Sequence, residues 1–250
     1  MSVDDHPSEP ISAAPLPERA IAIAAEISAY RDRGAAHVVA QLGQSIDGRI
    51  ATGTGDSRWI NGAAALDYLH LLRASVDAVV VGAGTVVADD PRLSVRRVPG
   101  TNPARVVVDA NARTSPQAKW RVDDGVQRIM VVRSASANTT ELTQHDDGVH
   151  VLGIGSRDRL IRPDAIIAAL RERGLQTLLI EGGATTVSHW LDAGALDRLA
   201  LLVGPVIIGS GKPGISLPPI VKLADAARPA MEPVPLADGD VLFDCKLNTH

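Results

Sequence analysis

Eight runs of nearly unbroken apolar residues recur along the chain: HVVAQL at 37–42, DAVVVG at 77–82, ARVVVD at 104–109, QRIMVV at 127–132, VHVLGI at 149–154, TLLIEG at 177–182, LALLVGPVIIG at 199–209 and DVLFDCKL at 240–247. A strand with one wet face alternates apolar and polar positions. These runs stay apolar at consecutive positions, which predicts strands buried on both faces. Segments of helical spacing lie between them. Ala20, Ile21, Ile23, Ala24, Ile27 and Tyr30 follow such a spacing within 16–33, and Gly34 stands where a C-cap glycine belongs. Further helices are predicted at about 63–74 and from Pro163 to Arg173, the latter opening on proline and stopping at Gly174, and another follows Gly183. Strands and helices in alternation imply an α/β fold: a mostly parallel central sheet flanked by helices and closed by a C-terminal antiparallel hairpin.

Composition narrows the picture. With 250 residues, 45% of them apolar, the chain can bury the core of one large domain. No run approaches the roughly 18 apolar residues of a membrane helix, and the start MSVDDHPSEPIS has no basic leader, so a cytoplasmic protein is expected. Residues 1–16, rich in Pro, Ser and acids, read as a tail. Cys245 is the single cysteine, which excludes an internal disulfide and a cysteine-clustered zinc site. A net charge of −4 with scattered arginines argues against a nucleic-acid partner. The seven histidines show no ligand spacing, and no metal is expected. No internal repeat is visible.

Four segments carry unusual polar content. Glu181-Gly182-Gly183 joins a strand to a helix that starts with small and hydroxyl residues, the pattern of an anion site at a helix N-terminus with an acid beside it. Glu181 reads as a salt-bridge partner or as a catalytic acid. Gln44-Ser45-Ile46-Asp47-Gly48-Arg49 holds an Asp-Gly turn signal and leads into the Gly/Thr/Ser loop 52–60, where Trp59 either flanks a planar ring or anchors the core. Arg73, near a helix end, reads as a solvated charge or a ligand contact. In 81–97, Gly82-Ala83-Gly84-Thr85 follows a strand but lacks the third glycine of a dinucleotide fingerprint. Thr85 and Asp89 offer a hydroxyl and a carboxylate there, and Arg92, Arg96 and Arg97 offer forks suited to a phosphate.

Ser45-Ile46-Asp47-Gly48-Arg49, Ser57-Arg58-Trp59-Ile60, Arg73, Asp77 to Thr85, Asp89-Asp90-Pro91, Leu93, Arg96 and Glu181-Gly182-Gly183 occur in one order and at set spacings. Over about residues 36 to 248 this resembles the riboflavin-biosynthesis pyrimidine reductases, the reductase half of bacterial bifunctional deaminase-reductases. The resemblance implies a dihydrofolate-reductase-like fold at 36–250 behind a tail and accessory helix at 1–35. It also implies NADPH, a homodimer, and reduction of 5-amino-6-(5-phosphoribosylamino)uracil to its ribityl product without a deaminase half. Carried over by position, it puts Ser57, Arg73, Leu93, Arg96 and Glu181 on the substrate. Gln44, Trp59, Thr85, Asp89, Ala110 and the run Gly183, Ala184, Thr185, Thr186, Val187, Ser188 and His189 fall on the cofactor. Glu181, with Asp47 behind it, is the expected proton donor, kept protonated by burial beside Leu179 and Ile180, and Arg133 is the candidate for a 2′-phosphate. Gln41 departs from a common lysine and Gln44 from a small residue, both expected at the cleft. A reductase of another small ring such as a pterin, or a non-catalytic nucleotide binder, would share this scaffold.

Overall fold

The computed structural model describes residues 14–135, 141–156 and 160–247. In chain order its elements are α1 (Glu18–Asp32), β1 (His37–Ser45), β2 (Arg49–Thr52), α2 (Ala63–Ala74), β3 (Ala78–Gly82), α3 (Ala83–Asp89), β4 (Ala104–Val108), β5 (Arg128–Ser134), β6 (Glu141–Gln144) and β7 (His150–Gly155). They continue with α4 (Pro163–Arg171), β8 (Thr177–Glu181), α5 (Ala184–Asp192), β9 (Arg198–Gly204), β10 (Gly211–Pro213), β11 (Ala230–Pro235) and β12 (Val241–Lys246). Ten strands form one sheet in the order β11-β12-β9-β1-β8-β3-β4-β5-β7-β6. The seven from β9 to β7 run parallel, while β12, β11 and β6 pair antiparallel.

Two-sided burial explains the continuous apolar runs. On one face Val39, Val79, Leu179 and Leu202 pack with Ile23 and Ile27 of α1, Tyr68 and Leu72 of α2 and Val86 of α3. On the other, Ala40, Val80 and Ile180 pack with Ile166 and Leu170 of α4 and Val187 and Trp190 of α5. The expected parallel sheet, flanking helices and terminal antiparallel pair are all present.

Three details differ from the expected pattern. The run 199–209 stops as a strand at Gly204, because Pro205 has no N–H to continue the ladder. The hairpin partner of β12 is β11, whose sequence AMEPVP hides its strand character; its two prolines are tolerated because it lies at the sheet edge. Residues 83–89, for which no helix is predicted, form the short helix α3. A two-stranded ribbon, β2 with β10, stands apart from the main sheet.

The chain leaves β3 toward β4 on one side and leaves β8 toward β9 on the other, although β3 and β8 are neighbours. Diverging connections open a crevice at the carboxyl ends of these two strands, where ligands bind in open α/β sheets.

Candidate functional site

One wall of the crevice is backbone. Gly82 caps α3 and Gly183 caps α5, so two helix starts meet at adjacent strand ends. They interlock closely. A Cβ on Gly82 would stand 2.5 Å from Thr186 Oγ1, and one on Gly182 would stand 2.5 Å from Thr85 Oγ1. Gly182 also has φ +111°, a conformation that L side chains rarely adopt. Thr85 Oγ1 accepts the Gly183 N–H at 3.1 Å, which locks the two starts together. The N–H groups of Ala184 and Thr185 open α5 without intrahelical partners and, with the positive end of its dipole, suit a pyrophosphate.

The remainder of the expected cofactor run does other work. Val187 is wholly buried in the core, the Ser188 hydroxyl accepts the Ser216 N–H at 2.9 Å, and His189 Nε2 lies 3.1 Å from the Ile161 carbonyl. These three positions lie a turn inside α5, with the Val187 N–H already bonded to the Gly183 carbonyl, so the open amides of the helix start precede them.

The other wall is built from side chains. Glu181 ends β8, is buried, and takes a two-pronged fork from Arg73 of α2, with Nε to Oε1 and Nη2 to Oε2 both at 2.7 Å. Arg73 Nη1 also donates to the Ser94 carbonyl at 3.0 Å. This corrects two expectations. Arg73 is neither a solvated end charge nor placed to grip a phosphate, because its fork is turned inward to Glu181. Glu181 is engaged at both oxygens by the Arg73 fork, not simply buried beside Leu179 and Ile180 as expected. Asp47 is a poor donor. The Ser45 hydroxyl at 2.6 Å and the N–H groups of Ile208 and Gly209 at 3.1 and 2.6 Å hold its carboxyl at about 2, so it is ionised at neutral pH and ties the 206–209 segment to β1.

Ser57 is exposed on the loop after β2, and Trp59, 42% exposed with φ +65°, is not a core anchor. Asp89 ends α3; desolvation raises its carboxyl against the opposing charges of Arg58 on the loop and Lys212 on β10. Leu93, expected against the substrate, is 1% exposed and part of the core, leaving at most its backbone to a ligand. Arg96 is exposed at the rim, its N–H fixed on His70 Nδ1 at 3.0 Å, whereas Arg97 is spent on Asp67 at 2.6 Å. Ala110 follows β4, and its carbonyl accepts the N–H of exposed Arg133 at 3.3 Å.

Gln41 and Gln44 do not share a wall. Three positions apart on a strand, they point to opposite faces: Gln41 lies on the α2 side with Val39, and Gln44 lies on the other with Leu42. The register Ala40↔Ile180 continues to put Gln41 beside Glu181.

Sequence reading missed Asn61, Asp238 and Asp240. Asp240, 1% exposed, accepts the Gly62 N–H at 2.6 Å and Asn61 Nδ2 at 3.2 Å, while Asp238 accepts the Ala64 N–H at 2.9 Å. Two carboxylates from the turn before β12 thus cap α2, more than 170 residues away. Their only local signal is an ordinary Asp-Gly-Asp turn.

The family description "RibD C-terminal domain" matches residues 36–233. A protein of Methanothermobacter thermautotrophicus named 2,5-diamino-6-ribosylamino-4(3H)-pyrimidinone 5′-phosphate reductase is 37% identical over 176 residues, covering 69% of this chain and 79% of that one. The riboflavin biosynthesis protein RibD of Mycobacterium tuberculosis is 31% identical over 245 residues, 93% of this chain and 63% of that protein. RibD of Aquifex aeolicus is 31% identical over 70% of this chain, which spans about half of it, 48%. Among solved structures, the deaminase/reductase of Thermotoga maritima superposes with a TM-score of 0.67 at 24% identity, over 88% of this chain and 58% of that one. A pyrimidine reductase-like protein of Corynebacterium diphtheriae gives 0.67 at 20%, over 86% and 93%. Both share the fold.

Proposed function

The chain belongs to the RibD C-terminal domain family, and from that premise we propose that it reduces the ribose of a 5-amino-6-(5-phosphoribosylamino)pyrimidine to a ribityl chain with NADPH. The observation that carries this is the crevice itself: two interlocked helix starts able to hold a pyrophosphate, next to a buried Arg73–Glu181 pair. The uracil is the substrate expected from the sequence. The 2-amino ring, a pyrimidinone, is the second reading, because the relative named for it is matched over 79% of its length against 63% for M. tuberculosis RibD.

When bound, NADPH would supply the hydride that reduces C1′ of the ring-opened imine, with the matching proton on nitrogen drawn from water. Gly182, Gly183, Ala184, Thr185 and Thr186 fit its pyrophosphate, because any Cβ at 182 would collide with Thr85 and close the cradle. Asp89, Ala110 and Gln44 would meet the rest of the cofactor, and Arg133, whose N–H donates to the Ala110 carbonyl, its 2′-phosphate. Glu181, held by Arg73, orients the substrate by accepting from one of its hydroxyl or amino groups, and Arg96 at the open rim takes the 5′-phosphate. Ser57 and Trp59 fold over the reacting groups and exclude water.

The enzyme works in the cytoplasm as a homodimer. Leu201, Val203, Phe243 and Met231, the last 57% exposed, form an apolar sheet face on β9, β12 and β11 that suits a second copy. No helix among the described residues is long and apolar enough to cross a membrane.

The test is to follow nicotinamide absorbance with purified protein, NADPH and either phosphoribosylaminopyrimidine. Turnover of dihydrofolate alone, or cofactor binding without turnover, overturns the proposal. Arg96→Ala should raise KM for the phosphorylated substrate by roughly one to two powers of ten, the value of one charge-assisted contact of about 1.5–3 kcal/mol.

A further inference from the structure

Gln41 is more than nine-tenths buried on the crevice face of β1, and its carboxamide has no hydrogen-bond partner among the described residues. The amide atoms themselves are not among the fully buried orphans of the described residues, so they open to the crevice and are available to a ligand. Two residues further along the same face, Gly43 has no side chain, and Asn61 Oδ1 fills the place its Cβ would take, with Gln41 Nε2 3.9 Å from that point. The Asn61 amide is not free to turn. Its Nδ2 donates to the Leu202 carbonyl at 3.3 Å and to Asp240 Oδ1 at 3.2 Å, and both partners are acceptors, so turning it would set oxygen against oxygen. Oδ1 is left as a fixed acceptor beside the adaptable amide of Gln41.

We infer that Asn61, oriented by buried Asp240, and Gln41 read the edge of the substrate ring, and that Asn61 selects a ring bearing an amino group over one bearing oxygen at the same position. This rests on the phosphoribosylaminopyrimidine reading above. Glu181 lies beside Gln41 across one strand spacing, so the row Glu181, Gln41, Asn61 spans a distance of the order of a pyrimidine ring. The 2-amino group of the diaminopyrimidinone donates to Asn61 Oδ1. The 2-oxo group of the uracil would face its lone pairs and leave the site unpaired. Asn61 and Gln41 touch the substrate; Asp240 is a positioning residue that acts through Asn61.

The test compares kcat/KM for the two phosphorylated rings, with NADPH saturating, in the full chain and its variants. The unaltered chain should favour the diaminopyrimidinone on the order of ten- to a hundredfold. Asn61→Ala should bring the ratio close to one and leave KM for NADPH unchanged. Asp240→Asn, whose amide can donate back to Asn61 and free its orientation, should also lower the ratio. Thermal melting shows which variants fold, and Asn61→Ser replaces the alanine variant if that one does not. Equal kcat/KM for the two rings, or a ratio untouched by changes at Asn61, overturns the inference and leaves the reductase reading standing. A change in KM for NADPH in place of the ratio assigns the amides to the nicotinamide and overturns it as well. If neither ring is turned over, the reading and the inference fall together.

Discussion

The two walls of the crevice are made in different ways. On the β3–β8 side, glycines with no room for a Cβ and one threonine hydroxyl bring two helix starts together, so the chemistry belongs to the backbone. On the β1–α2 side, Arg73 reaches Glu181 over 108 residues and Asp240 reaches the Gly62 N–H over 178, so the chemistry belongs to buried carboxylates and the distant donors that hold them. The first wall tolerates no added bulk at Gly82 or Gly182. The second tolerates no missing partner.

The largest effect should come from breaking the second wall. Arg73→Ala leaves Glu181 buried and uncompensated, at a cost of about 3–5 kcal/mol measured by urea unfolding. The double variant Arg73→Met/Glu181→Leu removes both charges and should recover most of that stability while remaining inactive. Recovery of activity as well would show that the pair only supports the fold.

An intermediate effect tests the first wall. Gly182→Ala must bear φ +111° and a collision with Thr85, and should lose roughly 1–3 kcal/mol together with NADPH affinity measured by fluorescence titration. Gly84→Ala, where a Cβ meets nothing within 4 Å, should instead gain about 0.5–1 kcal/mol of stability. Equal losses at both positions would mean that the cradle is not set by close approach.

The smallest effect concerns Asp47, which belongs to neither wall. Its carboxyl is depressed from 3.8 to about 2 in the folded chain, so its contribution is complete above 3.8 and disappears as the pH falls through about 2. Asp47→Asn should flatten the acid limb of a melting-temperature profile in that window and leave neutral-pH turnover within about twofold of the unaltered chain. A large loss of turnover at neutral pH would return Asp47 to the chemistry.

Much of the fold was legible because the main strands announce themselves locally. Val79, Val80 and Val81 are buried on both faces, and a residue run of that kind has few alternatives to a covered strand. The edge strand β11 was not legible, since Pro233 and Pro235 argue against pairing until the sheet edge is known. In the site, Glu181-Gly182-Gly183 could be read as an anion cradle because spacing and backbone freedom are sequence-local. The inward turn of Arg73, the loss of Val187, Ser188 and His189 from the cradle, and the capping of α2 by Asp238 and Asp240 could not. Each depends on a partner far away in the chain.

The sequence by itself determined the alternation of covered strands and helices and the glycine-capped helix start, because apolar runs and missing side chains act within a few residues. Only the tertiary structure decided which carboxylates are free and which amides face the crevice. Charge pairing and burial depend on what folds against a residue, and here those partners lie 100 residues or more away.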